Sequence, residues 1–169
     1  SMIVEHDVKT VGVQTIMLVE DSVRFYSSAL PLLYKYVLNE SKEFSKEALN
    51  DHLRMMRMRG RPKILLARNY EEAVDLYRKY GDNMLGVISD ISFNREGKKD
   101  KLAGRLLGEW IRKQDKYIPI IYTSSESENR KYADEVEARF IDKNSKTFPQ
   151  DFHRAVKDNL GFGDFIIIA

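Results

Sequence analysis

The chain has 169 residues, 43% of them hydrophobic, which suits one substantial core and is too short for two ordinary domains. Its 28 basic and 26 acidic residues leave a formal net charge of +2, so global charge gives no support to direct nucleic-acid binding, and zero cysteines exclude disulfides and thiolate chemistry. No apolar run approaches the roughly 18 residues of a membrane span and the start lacks a signal-peptide layout, so a soluble, cytoplasmic protein is expected.

Residues 1–13 read as an N-terminal extension in which Ser1, ahead of Met2, looks like a tag remnant. Ile16 to Val19 is the first of five short, mostly apolar runs; the others are Ile64 to Ala67, Met84 to Ile88, Ile118 to Tyr122 and Arg139 to Ile141. Such runs fit strands covered on both faces. After the first, Val23, Tyr26, Leu30, Leu33 and Val37 share a helical stripe, which Pro31 should kink by removing the bond to the Ser27 carbonyl.

Residues 39–62 lengthen the first crossover by an extra helix, Lys46 to Arg59, with Ser45 as N-cap, Phe44 and Leu49 as a staple, and Gly60 and Pro62 as the stop. Its basic end, Arg54, Arg57, Arg59, Arg61 and Lys63, beside Met55, Met56 and Met58, reads as a solvated face, with docking as the alternative.

Asn69 and Glu72 offer a capping box for a helix burying Ala73, Leu76, Tyr77 and Tyr80. Ala103, Leu106, Leu107, Trp110 and Ile111 make the clearest amphipathic set, in a third helix expected to start near Gly104. Tyr132, Ala133 and Val136 face inward after the fourth run. Thr147 with Gln150 can cap a last helix with the stripe Phe148, Phe152, Ala155, Val156 and Leu160, ending at Gly161. Five strand and helix pairs in alternation predict an α/β domain over 14–160 with a parallel sheet and helices on both faces.

Reactive side chains sit at or just beyond the ends of these runs, where open α/β sheets bind ligands. They are Glu20 and Asp21 after the first, Asp90 after the third, Ser124 after the fourth and Lys143 after the fifth. Carboxylates gathered so closely repel unless a hard divalent cation lies among them, and an oxygen-only set without cysteine or clustered histidine suits Mg2+. His6, His52 and His153 show no metal spacing, and Gly161 and Gly163 lack the context of a dinucleotide loop.

Over roughly Gln14 to Leu160 this order of an acidic pair, an aspartate, a hydroxyl and a lysine resembles the receiver domain of two-component response regulators. The resemblance implies a flavodoxin-like, doubly wound five-stranded sheet in strand order 2-1-3-4-5, here with an extra helix inserted after the first. It implies that Asp90 accepts a phosphoryl group from a histidine kinase, a phosphotransfer protein or a small phosphodonor. Mg2+ would be held by Asp21 directly, by Glu20 through water, by Asp90, and by the backbone carbonyl of Ser92. Lys143 would pair with the phosphoryl group or with Asp90, Ser124 would bind the phosphoryl group once formed, with Thr123 as the competing hydroxyl, and Phe140 would be the switch aromatic. Phe93 and Asn94 replace the family's Met-Pro, Asn144 replaces the proline after the lysine, and the loop holding Arg95 to Lys101 is longer than usual.

Two other functions compete: a receiver-like interaction module that is never phosphorylated, and a Mg2+ phosphatase with an aspartyl nucleophile. The second needs another acid two residues after the nucleophile, where Ser92 stands. No independent enzyme activity is therefore expected beyond self-phosphorylation and self-dephosphorylation. The segment 161–169, GFGDFIIIA, is expected to lead into a linker or a downstream output domain. Together with the long first crossover, the closing GFGDF stretch resembles the N-terminal receiver part of larger phosphoenolpyruvate synthase-like bacterial proteins. A homodimer is the further partner expected.

Overall fold

The computed structural model describes residues 14–25, 27–29, 31–32 and 62–160. The extension 1–13, the helix expected over Lys46 to Arg59 and the segment 161–169 lie outside them.

Apolar residues without alternation make the five central strands: β1 (Thr15–Val19), β2 (Lys63–Ala67), β3 (Met84–Asp90), β6 (Ile120–Ser124) and β7 (Arg139–Asp142). All neighbours pair in parallel, in the order β2-β1-β3-β6-β7. Leaving aside the short β4 and β5, this is the order 2-1-3-4-5 that the receiver resemblance implies. Between the strands run helical residues at 23–25, 27–29 and 31–32 (α1), then α2 (Tyr70–Tyr80), α3 (Ala103–Gln114), α4 (Arg130–Glu135) and α5 (Phe148–Asn159).

Because strand side chains alternate between faces, the sheet buries two separate cores. On one face Met17, Val19, Val87, Ile120 and Tyr122 meet Ala73 and Tyr77 of α2, Leu107 and Ile111 of α3, and Ala133 of α4. On the other Ile16, Leu18, Ile88, Ile121 and Ile141 meet Phe152, Ala155 and Val156 of α5, with Leu32 of α1 at the edge. Every residue of β1 and β6 is buried, so their ends are fixed platforms for the groups that follow.

Of the stripes expected on α2, α3, α4 and α5, every member but the half-buried Leu106 packs into the core clusters. Of the stripe expected on α1 only Val23 lies among the described residues, and it is 63% exposed; Ala29 is buried, Leu32 packs on the core, and Phe25 lies edge-on to Phe148 at 5.6 Å. Apolar residues occur on more than one side of this segment, and packing against α5 selects the side. The cap expected at Asn69 forms, its Oδ1 accepting from Glu72 N at 2.9 Å. That expected from Thr147 and Gln150 does not. Thr147 has ψ 21°, away from the extended N-cap geometry, and its hydroxyl bonds Asp151 at 2.9 Å.

The long stretch after Asp90 is not a loose loop. Phe93–Arg95 (β4) and Lys98–Asp100 (β5) form an antiparallel hairpin around Glu96 and Gly97. Both turn residues have positive φ, 56° and 77°, as in the two-residue turn that matches the twist of paired strands.

Candidate functional site

Glu20, Asp21 and Asp90 converge at the carboxyl edge of the sheet, where one oxygen from each lies within 4.8 Å of the others. The topology dictates this, since β1 and β3 are adjacent and end together, pairing Val19 with Ser89. Glu20 N donates to Ala67 O of β2 at 2.9 Å, which turns its side chain into a fully buried position. Ser22 N donates to Glu20 Oε1 at 3.0 Å, and Ile91 N to Asp90 Oδ1 at 2.7 Å.

Lys143 follows β7 and reaches across the strand ends. Its Nζ donates to Glu20 Oε2 at 2.6 Å and to Asp90 Oδ2 at 3.0 Å, and it stands 4.2 Å from the centroid of the Phe25 ring. Lys143 N donates to Ser124 O at 2.9 Å, tying the lysine turn to the end of β6, and Asn144 Nδ2 adds a bond to Ser125 O. Burial is the main influence on Glu20 and, with the negative charge of Asp90, raises its pKa above the usual glutamate range; Lys143 opposes the shift.

Ser124 and Thr123, alternatives for the hydroxyl role, are separated by their surroundings. Ser124 Oγ accepts from Glu126 N at 3.0 Å and Asn129 Nδ2 at 3.1 Å, and lines the same cleft as Asp90. Thr123, paired with Asp90 in the sheet register, has a buried Oγ1 without a hydrogen-bond partner. The cleft measures about 540 Å3, and Ser92, Lys99, Lys101 and Lys131 also line it. Phe140 is already buried in the core, with the Arg130 guanidinium 4.8 Å from its ring centroid.

Sequence reasoning missed Lys99. From β5 its Nζ reaches Asp21 Oδ2 at 2.9 Å, so a second lysine stands at the acidic cluster. The turn signal was Glu96-Gly97 between two short runs, but nothing in spacing ties Lys99 to a carboxylate 78 positions earlier.

Neither protein-family models nor curated proteins match the sequence. Solved structures do match its shape. A response regulator receiver domain protein from Clostridium thermocellum superposes with a TM-score of 0.61 over 91% of this chain and 99% of its own, at 16% identity. A response regulator from Thermotoga maritima in complex with Mg2+ and BeF gives 0.54 over 86% and 98%, at 20% identity. A phosphorylated cyanobacterial phytochrome response regulator gives 0.56 over 88% and 94%, at 15% identity. The fold is that of a receiver domain. Within the receiver fold, Glu20, Asp21, Asp90, Ser124 and Lys143 all gather at one end of the sheet. The curated proteins lend no support to the phosphoenolpyruvate synthase-like context of the closing segment. No helix among the described residues is long and apolar enough to cross a membrane.

The donor set fits a divalent cation. Three carboxylates face two ammonium groups, Lys143 and Lys99, leaving one negative charge uncompensated, and all the donors are hard oxygens.

Proposed function

We propose that this domain is a phosphoacceptor module of a two-component phosphorelay, with Asp90 as the residue that is phosphorylated. The observation that carries the reading is the bridging of Glu20 and Asp90 by Lys143 beside the three-carboxylate cluster. A half-buried lysine between two acids, one of which lines the polar cleft, is an arrangement suited to charge redistribution during phosphoryl transfer.

Asp90 acts as the nucleophile: a carboxylate oxygen attacks phosphorus and the bond to the donor's nitrogen or oxygen breaks as the leaving group departs. Ile91 N and Lys143 Nζ each hold one Asp90 oxygen, which fixes the carboxylate plane toward the cleft. Glu20, Asp21 and Asp90, with the Ser92 carbonyl, would hold Mg2+, which when bound neutralises negative charge on the phosphoryl oxygens. Lys143 supplies positive charge to the oxygens opposite. The hydroxyl of Ser124, now donating weakly to Glu126 O at 3.4 Å, is free to turn toward a phosphoryl oxygen. That turn would draw on the segment from Ser125 to Asn129, and Phe140 with Arg130 lies next to it as the reporting pair.

The donor would be a histidine kinase or phosphotransfer protein, acting in the cytoplasm. Output would pass to a downstream domain, a partner protein or a second copy, without direct nucleic-acid contact. The hold of Lys99 on Asp21 favours the second reading, a receiver-fold interaction module that is not phosphorylated. Fluorine NMR with beryllofluoride and Mg2+ separates the two. Stoichiometric binding lost in Asp90→Asn supports the phosphoacceptor, and absence of binding to the unmodified protein supports the interaction module.

A further inference from the structure

We propose that Lys99 is a built-in rival of the divalent cation, occupying Asp21 until the ion displaces it and thereby setting how much cation the domain requires. The inference rests on the reading of Glu20, Asp21 and Asp90 as the metal site. Lys143 is committed to Glu20 and Asp90 and its side chain is only 13% exposed, whereas the Lys99 side chain is 56% exposed and meets Asp21 alone. The second ammonium is therefore the replaceable one.

The hairpin that carries Lys99 is anchored. Phe93 is fully buried, Asn94 bridges to Asn69 at the start of α2, and Glu96 N donates to Glu71 Oε1 at 2.9 Å. Arg95 binds Asp100 at 2.8 Å and stands over the Tyr70 ring. Displacement therefore needs only rotation of the lysine stem, not movement of the strands. An ammonium and a divalent ion on one carboxylate repel, so the ion must break the Lys99–Asp21 pair and then tolerate a nearby positive charge. Lys99 also lines the cleft over Asp90, so the released ammonium stays at the rim where phosphoryl oxygens would lie.

Calorimetric titration of the full chain with MgCl2 tests this, using Lys99→Gln, Lys99→Arg and, as a control for net charge one residue away, Lys98→Gln. Lys99→Gln should bind Mg2+ roughly three- to tenfold tighter than the unmodified protein, the scale of an exposed ion pair plus a screened repulsion. Lys99→Arg should keep the original affinity, and Lys98→Gln should stay within about twofold of it. Equal or weaker binding by Lys99→Gln, or equal tightening by Lys98→Gln, overturns the proposal while leaving the metal site intact. Absence of Mg2+ binding in both the unmodified protein and Lys99→Gln overturns the metal reading itself, and this proposal with it.

Discussion

Lys143 Nζ lies 2.6 Å from Glu20 Oε2, across 123 positions of sequence, and this pair closes the end of the sheet from β1 to β7. Glu20 is fully buried, and its charge is supported by the ammonium that faces it together with the hydrogen bond from Ser22 N. Lys143→Gln should leave Glu20 and Asp90 opposed without a cation and cost about 3 kcal/mol at pH 8. Burial already raises the Glu20 pKa, and loss of Lys143 raises it further. A group whose folded-state pKa exceeds its unfolded value favours folding at low pH, an advantage lost as pH rises through the folded value. The variant's deficit should therefore shrink toward pH 5. Urea denaturation at both pH values measures it, and a deficit that grows in acid would refute the argument.

The same shift predicts the pH dependence of metal binding. A cation needs Glu20 ionised, and protons compete with it from a higher pH than at an ordinary glutamate. Mg2+ affinity should fall as the pH is lowered, starting at a higher pH than an ordinary glutamate would give, and Glu20→Gln should flatten this profile while weakening binding. Asp21→Ala should weaken it more, because Asp21 is the acid of the pair that is half-exposed and not held by Lys143. Calorimetry across pH decides both.

Thr123 and Ser124 should answer substitution in opposite ways. Thr123 Oγ1 is buried without a partner, so Thr123→Val should stabilise by about 1 kcal/mol and leave phosphorylation unchanged. Ser124→Ala removes the acceptor of two hydrogen bonds and the hydroxyl assigned to the phosphoryl group. It should lower the level of phosphorylated protein while costing roughly 1 kcal/mol. Thermal melts and phosphorylation time courses read the two effects.

Gly104 fixes the turn that carries Asp90. A Cβ there would collide with the Asp90 carbonyl oxygen and with Ile91 Cα, both backbone atoms, while Gly104 N donates to Ile91 O at 2.8 Å. Gly104 O also accepts from the buried Tyr122 hydroxyl at 2.8 Å. Gly104→Ala should therefore cost about 2 to 3 kcal/mol, and displace the Asp90 backbone signals in NMR spectra. A neutral substitution would show that α3 does not set the Asp90 turn.

The parallel sheet and its two core faces were legible because β1, β3 and β6 are mostly apolar and because α2, α3 and α5 carry their stripes at helical spacing, whereas the strand order came from the receiver resemblance. Glu20, Asp21, Asp90, Ser124 and Lys143 were legible for the related reason that a parallel sheet delivers strand-end residues to one edge. Val23 misled because hydrophobicity alone does not say which side of α1 meets Phe148 and the sheet. The hairpin was hidden in charged residues, since β4 and β5 take their support from Phe93, the Glu96-Gly97 turn and contacts to α2, not from an apolar alternation. Lys99 could not be assigned to Asp21 until that hairpin existed.

The central claim is that Asp90 accepts a phosphoryl group with help from a divalent cation at Glu20 and Asp21. Intact-mass and peptide mass spectrometry after incubation with acetyl phosphate, with and without Mg2+, tests it most directly. The account predicts one acid-stable, base-labile phosphoryl group on Asp90 that requires Mg2+ and is absent from Asp90→Asn. Labelling of Asp90→Asn at the unmodified level, or no labelling of the unmodified protein with Mg2+ present, would contradict it.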